Sequence, residues 1–552
     1  MSPANPQEKS RSSYVLLTFF LLLTATLSLI WSHVRLMWND EFLSFYTDGV
    51  ASFKQVVLVQ LHHPISLDPP TYHLLSHLCM DIFGRNAMAL RLPALAGFLL
   101  FQLCLFFFVR RLASSRAAVV AAALPILTAS FRYSVEGRPY GLLLGLYALS
   151  LLCWQIATTD DAPQPTPAQR SLLDGMHAKP LAVRAGPRIL PLTGLTLSIV
   201  LAITSHYFGV LILIPVSLGE LSRILIRKRI DVGVLIALAL GLASILLILP
   251  FKHALMVYRQ HYYITGVNIH DISQGYRELF VQYGAWPMLL QKLTAALLAV
   301  FAVFLAVAGY RRFKRRPPTE HAYTWIALTS MALLPFFGYL FGRFVTHTME
   351  VRYVIAALIA FAAISGIVLQ RRLRSNAFFY ATLAVITVAA VAINVHNIAQ
   401  EHSDSTAILA SLHPSPALAV ALAANPTAPL YEQSLGNFFV DSFYTPNPAL
   451  RARITLLYNA QRELFWLKHD TYSISAANLQ HFTNLPTADY DTLLHQPGPH
   501  LLVQWQDGWN WTDKAAADAH AIVTPLGPSF GGQAVSVEWT QPRLSPAVTP
   551  TP

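Results

Sequence analysis

The sequence predicts a mostly helical polytopic membrane protein with a small α/β domain outside the membrane. Three observations predict it. Of 552 residues, 54% are hydrophobic and only 12% charged, with a mean hydropathy of +0.45; a soluble chain of this length is less apolar. Apolar runs of roughly 20 residues, the length that spans a bilayer, recur from the N-terminus to about residue 397. Beyond residue 400 the apolar runs shorten while Pro, Asn, His and Asp become frequent.

Taken in order, spans are expected at 13–34, 89–110, 116–131, 139–157, 189–204, 207–225, 231–251, 286–309, 322–342, 353–370 and 376–397, eleven in all. The first apolar run, Tyr14 to Trp31, lacks a small-residue cleavage site and reads as a retained helix. The formal charge of +11 would suggest nucleic acid in a soluble protein. Here the basic residues cluster at 9–11, 110–116, 170–188, 223–229, 311–316 and 371–374, between apolar runs. With the N-terminus in the cytoplasm, eleven crossings put every cluster on the cytoplasmic side, as the positive-inside rule requires. That pattern needs no nucleic-acid partner. Cys79, Cys104 and Cys153 lie in apolar or near-membrane segments without CxxC or zinc spacing, so they read as packing residues.

Residues 1–399 therefore form the membrane domain. Its external loop, 35–88, has apolar residues at helical spacing over Phe42–Leu61 and Thr71–Phe83, which predicts two helices along the membrane surface. The Pro- and Ala-containing stretch 158–188 reads as a cytoplasmic loop. Residues 400–552 form the outer domain. Strand-prone runs at Ala428–Tyr431, Ile454–Tyr458, Leu501–Trp505 and Ala534–Trp539 alternate with helix-like segments such as Ala516–Ile522. The Pro-rich last dozen residues are expected to be disordered.

This topology delivers ionisable residues to one outer face: Asp40 and Glu41, His62 and His63, Asp68, Glu136 and Arg138, His206, and Arg352 beside Tyr353. Each has a plainer reading. Asn39 or Asp40 could cap the following helix with Glu41 in its first turn. Glu136 and Arg138 could be a snorkelling pair ahead of Pro139. His206 could be a packing histidine, and His62 and His63 read more simply as surface groups than as metal ligands. Arg352 is less easily dismissed, because it stands on the side that the positive-inside rule disfavours. As a set they suit one task. A sugar on a polyprenyl phosphate leaves an anion at the membrane face, which arginine forks stabilise, and the incoming hydroxyl needs a base, which a carboxylate supplies. Asp40 would be that base, and Arg138 and Arg352 would hold the phosphate. No P-loop or Gly-rich nucleotide motif appears.

Several strings resemble the bacterial membrane glycosyltransferases related to protein O-mannosyltransferases and to the aminoarabinose transferase of lipid A. They are Trp38-Asn39-Asp40-Glu41, Asp68-Pro69-Pro70-Thr71-Tyr72-His73-Leu74-Leu75, Phe83-Gly84 with Ala89-Leu90-Arg91-Leu92-Pro93-Ala94-Leu95-Ala96-Gly97, and Ser134-Val135-Glu136-Gly137-Arg138-Pro139-Tyr140. Ser205-His206-Tyr207 and Arg352-Tyr353 resemble later landmarks. The resemblance covers about residues 10–370. It implies the GT-C fold, inverting transfer from a polyprenyl-phosphate sugar to a lipid, glycan or protein acceptor on the periplasmic side of the inner membrane, and Asp40, with Glu41 beside it, as the catalytic carboxylates. It places Glu136, Asp68 and His206 near the acceptor or a metal. Some members bind a divalent ion near the phosphate, and Glu41, Asp68 and His206 are the positions here that could contribute to one. The chain departs from the aminoarabinose branch at Leu67, where a lysine phosphate contact is missing, and has no room in 252–285 for the β-trefoil of the mannosyltransferase branch. Two other functions fit less well. A flippase should carry charge near its helix centres, often with internal repeats. A glycan sensor would work through residues 400–552 alone.

Overall fold

The computed structural model describes residues 6–159, 188–228, 230–259, 266–280, 322–505, 510–513 and 521–539. The span expected at 286–309, most of the 158–188 loop, the basic cluster 311–316 and the C-terminal tail lie outside these residues.

The helices of the first part are α1 (Pro6–Val34), α2 (Asn39–Asp48), α3 (Phe53–His62), α4 (Pro70–Phe83), α5 (Ala87–Leu112), α6 (Ser115–Ala123), α7 (Tyr140–Thr158), α8 (Ile189–Ser205), α9 (Leu213–Arg227), α10 (Val232–Ala243), α11 (Ile245–Arg259) and α12 (His270–Phe280). After these come α13 (Ala322–Ala332), α14 (Leu334–Phe341), α15 (Ala357–Leu369) and α16 (Asn376–Ser411). Among the described residues six helical stretches are long and apolar enough to cross a membrane: Ser12–Val34, Ala87–Leu112, Tyr140–Thr158, Tyr207–Arg227, Val232–Lys252 and Asn376–Ser411. A seventh counts if α13 and its continuation Leu334–Thr346, bent by 55° at Leu333, form one span. Three expected spans are shorter helices, Ser115–Leu127, Ile189–Ser205 and Ala357–Leu369. Among the described residues, then, not every expected span is long enough by itself to cross.

The 35–88 loop is helical as expected, but Phe42–Leu61 is two helices rather than one. They break at Gly49–Ala51, and the Ser52 side chain caps α3 by accepting from the Gln55 N–H. Helices α5 and α7 pack backbone to backbone. A Cβ on Gly97 would lie 2.2 Å from the Leu142 Cα, and one on Gly145 2.4 Å from the Gly97 carbonyl oxygen. Such approach needs residues without side chains, as at small-residue helix interfaces in membranes. It fixes the segment before α7, residues 134–139, against the start of α5.

α16 runs unbroken through the boundary expected at 399/400 and ends at Ser411. Beyond it a six-stranded sheet forms: β1 (Leu430–Glu432), β2 (Ile454–Tyr458), β3 (Thr487–Asp489), β4 (His500–Gln504), β5 (Ala521–Ser529) and β6 (Gly532–Trp539). The order is β3-β2-β1-β4-β6-β5. β3, β2, β1 and β4 are parallel, and β6 and β5 form an antiparallel hairpin at the edge. Ahead of β1 lies α17 (Pro416–Ala424), and the helices between strands are α18 (Leu435–Tyr444), α19 (Pro448–Arg451), α20 (Ala460–Leu467), α21 (Thr471–Leu479) and α22 (Tyr490–Leu494). β1, β2 and β4 are buried along nearly their whole length, so they read as continuous apolar runs rather than alternating ones. Two strands escaped the sequence pattern. β3 is only three residues long, and the described end of the expected helix Ala516–Ile522 begins β5.

One buried core joins the two parts. Met37, Phe42, Ile65, Met80 and Leu90 of the membrane part share an apolar cluster with Leu412, Phe438, Phe439 and Leu501 of the sheet domain. In that domain Glu432, at the end of β1, is fully buried beside Asp441 on α18. Burial, and then the neighbouring Asp441, raise the Glu432 carboxyl well above its ordinary range. Burial raises Asp441 to about 7. The unfolded chain gives up these protons near the ordinary carboxyl values, whereas the folded chain keeps them longer. This contribution to stability is therefore complete at acid pH and lost as pH rises through about 7. The melting temperature is expected to fall between pH 5 and 9. In Glu432→Gln, whose amide can hydrogen-bond an ionised Asp441, that fall should be smaller; an equal fall in both proteins would contradict the assignment.

Candidate active site

The site forms where α1 ends and α2, the 64–69 loop, residues 134–140, His206 and residues 350–353 meet. Its foundation is Arg91, one turn into the apolar helix α5. All five guanidinium N–H groups are used. Nε and Nη2 fork onto the Glu41 carboxylate at 2.7 Å each. Nη1 donates to the Ser32 and Arg35 carbonyls at 2.8 and 3.1 Å, and Nη2 also to the Leu36 carbonyl at 3.1 Å. Arg91 thus closes the open carbonyl end of α1 and ties it to α2. Glu41 also accepts from the Gly137 N–H at 2.6 Å and the Trp38 N–H at 3.4 Å. Burial works against its charge, but the Arg91 ion pair outweighs it and holds the carboxyl below its ordinary value.

Asp40 precedes Glu41 in the first turn of α2 and points elsewhere. Its Oδ2 faces the Arg352 Nη2 at 3.6 Å, and both side chains keep about a fifth to a quarter of their surface open, 21% and 24%. The Arg352 guanidinium lies over Trp38 and Tyr140 at 5.7 Å and Tyr353 at 5.9 Å, an aromatic cage for a cation.

Arg138 is buried beside this pair. It holds Asp68 Oδ2 at 2.7 Å and donates to Ser44 Oγ at 3.2 Å and Ser66 Oγ at 3.1 Å. Burial disfavours the Asp68 charge, but the Arg138 guanidinium outweighs it and keeps the carboxyl below the ordinary range. His206 Nδ1 accepts from the Phe208 N–H at 3.2 Å. The ring proton therefore sits on Nε2, 3.6 Å from Asp68 Oδ1. Burial lowers the imidazole to about 4, so His206 is neutral at physiological pH. Glu136 is buried, with Oε2 unpartnered among the described residues and 4.0 Å from the half-exposed Arg132. The Nε atoms of Arg138 and Arg352 are likewise buried without a hydrogen-bond partner among the described residues. Buried donors of this kind normally find one.

The expected residues Asp40, Asp68, Glu136, Arg138, His206 and Arg352 thus come together. Glu41 does not join them at an open face, because Arg91 and Gly137 occupy its oxygens. The suggested cation ligands do not converge either: Glu41 is spent on Arg91, and Asp68 and His206 supply only two ligands. Among the described residues no group of three or more His, Cys, Asp or Glu is arranged to hold a metal ion. His62 and His63 lie away from this centre, and the His63 ring stacks on His481 at 3.8 Å.

Two buried charged groups escaped the sequence reading. Arg91 had a signal, a lone charge inside an apolar run. Asp48 had none: fully buried, it meets His73 Nδ1 at 2.5 Å, while its carbonyl meets His77 Nδ1 at 2.7 Å. The i, i+4 histidines share a face of α4, but only the folded chain brings α2 under them.

The family model described as dolichyl-phosphate-mannose-protein mannosyltransferase matches residues 67–166, which include Asp68, Arg91, Glu136 and Arg138. In three dimensions the chain matches the crystal structure of apo ArnT from Cupriavidus metallidurans with a TM-score of 0.55, at 14% identity, over 96% of this chain and 98% of that one. The chain has the GT-C fold of ArnT. ArnT bound to undecaprenyl phosphate matches with a TM-score of 0.52, at 16% identity, over 94% and 97% of the two chains. In sequence, no curated protein matches the chain. The likeness spans nearly both full lengths, so it includes the C-terminal sheet domain, which lies beyond the resemblance read from the sequence.

Proposed function

We propose that the chain is an inverting glycosyltransferase, moving a sugar from a polyprenyl-phosphate donor to a hydroxyl of a lipid, glycan or protein acceptor at the periplasmic face of a bacterial inner membrane. The observation that carries this reading is the Asp40–Arg352 pair, partly open and 3.6 Å apart, beside the buried Arg138. A base and two cations then flank one point at the mouth of the membrane domain. The undecaprenyl phosphate bound by ArnT supports a lipid-phosphate donor.

In this reading Arg138 and Arg352 turn their spare N–H groups to the donor phosphate. The acceptor oxygen attacks the anomeric carbon from the opposite side while Asp40 takes its proton. The bond from that carbon to the phosphate oxygen breaks, and its electron pair leaves on the lipid phosphate, whose growing charge the two arginines meet. The neutral His206 orients Asp68, and Asp68 holds Arg138 in place. Glu41 and Arg91 position α2 rather than touch substrate.

Purified protein in vesicles is expected to release undecaprenyl phosphate from a panel of undecaprenyl-phosphate hexoses and pentoses, mannose and aminoarabinose included, when envelope lipids and glycans are present. Movement of the intact donor across the bilayer, with no release, would replace this reading with transport. Arg352→Ala is expected to weaken undecaprenyl phosphate binding about ten- to a hundredfold, the worth of a charged hydrogen bond. Unchanged binding by titration calorimetry would remove Arg352 from the phosphate site.

A further inference from the structure

Helix α2 carries Asp40 but is only 10 residues long, too short to hold itself in water. Its position comes from its neighbours. On the membrane side these are Arg91 and α4. On the other side it is the sheet domain, through α18. Phe42 of α2 stacks on Phe439 at 5.3 Å and meets Phe443 edge-on at 5.6 Å, and Tyr46 meets Phe439 at 5.4 Å. The Tyr444 hydroxyl accepts from the Met37 N–H at 3.0 Å, just ahead of α2. At the other end of α18, a Cβ on Gly436 would lie 3.8 Å from the Asn39 Cβ, next to Asp40.

We propose that the sheet domain is a working part of the transfer site, with Phe439 and Tyr444 as positioning residues that set how far α2 is advanced toward Arg352. This rests on the reading of Asp40 as the base. The apolar cluster shared across the junction gives the contact its strength. The Tyr444 hydroxyl gives it register, because a hydrogen bond to Met37 is met at one axial position only. A shift of about 1 Å at Asp40 is enough to cost roughly a hundredfold in turnover, although neither residue touches substrate.

The test uses the full chain and release of undecaprenyl phosphate from the donor panel above. Phe439→Leu and Tyr444→Phe are expected to lower kcat about ten- to a hundredfold with the donor KM within a factor of about two. The decisive arm is a staple. The 3.8 Å Cβ separation equals the mean for a disulfide, so Asn39→Cys with Gly436→Cys, in a Cys79→Ser background, should cross-link α2 to α18. When oxidised, the staple should restore most of the kcat that Phe439→Leu loses, and reduction should remove the gain; a residue that merely helps the domain fold would show no such redox-dependent rescue. If Asp40→Asn is inactive while Phe439→Leu and Tyr444→Phe turn over normally, or if the oxidised staple rescues nothing, the positioning role is overturned and the base stands. If Asp40→Asn turns over normally, both fall.

Discussion

An Asp40→Asn variant is expected to transfer sugar about 10²–10⁴-fold more slowly than the parent, with donor binding nearly intact, the loss typical of removing a positioned base. The structure makes the two adjacent acids at the start of α2 unequal. Glu41 is enclosed, and Arg91 and Gly137 take its oxygens. Asp40 stays partly open against one cation. Asparagine keeps its shape and can still face Arg352, so the fold and the phosphate site should survive while proton removal fails. Single-turnover measurement separates these effects: the chemical step should slow and the donor Kd should not. A well-expressed Asp40→Asn protein with near-parental turnover would refute the assignment.

The second large effect is structural. Arg91→Met removes the partner of a fully buried carboxylate and leaves three carbonyls at and just after the end of α1, those of Ser32, Arg35 and Leu36, without a donor. Breaking a buried pair from one side costs about 3–5 kcal/mol, because the remaining charge is stranded. Arg91→Met is therefore expected to lower the melting temperature sharply and to expose the outer loop to protease near residues 35–52. Adding Glu41→Gln to it should recover part of the stability, since the stranded charge is then gone, but not the activity, since α2 is no longer anchored to α1. Equal melting temperatures for Arg91→Met and the parent would show that the fork contributes little.

The same residues show what the sequence made legible. The apolar runs marked the six or seven stretches that are long enough to cross and three that are shorter helices, because a bilayer demands length and apolarity of each one separately. Short helices at 189–205 and 357–369 blur the count, since a helix surrounded by others need not meet the full thickness. In the site, Asp40, Arg138 and Arg352 could be named because charge at a membrane edge is costly and therefore rarely accidental. Their division of labour could not. Whether Asp40 or Glu41 is the open carboxylate depends on which side of α2 meets α5, a contact between residues 50 apart in the chain.

By itself, then, the sequence determined the composition of each part: apolar helices long enough for a bilayer, a smaller α/β part after them, and acids and arginines between the apolar runs. Those are properties of local composition and period. Tertiary structure alone decided that Glu41 is spent on Arg91, that Asp48 lies under His73 and His77, and that α18 of the outer domain grips the helix carrying Asp40. Each is a pairing between distant segments, set by side-chain shape and by the need to satisfy buried charge, and no spacing in the chain encodes it.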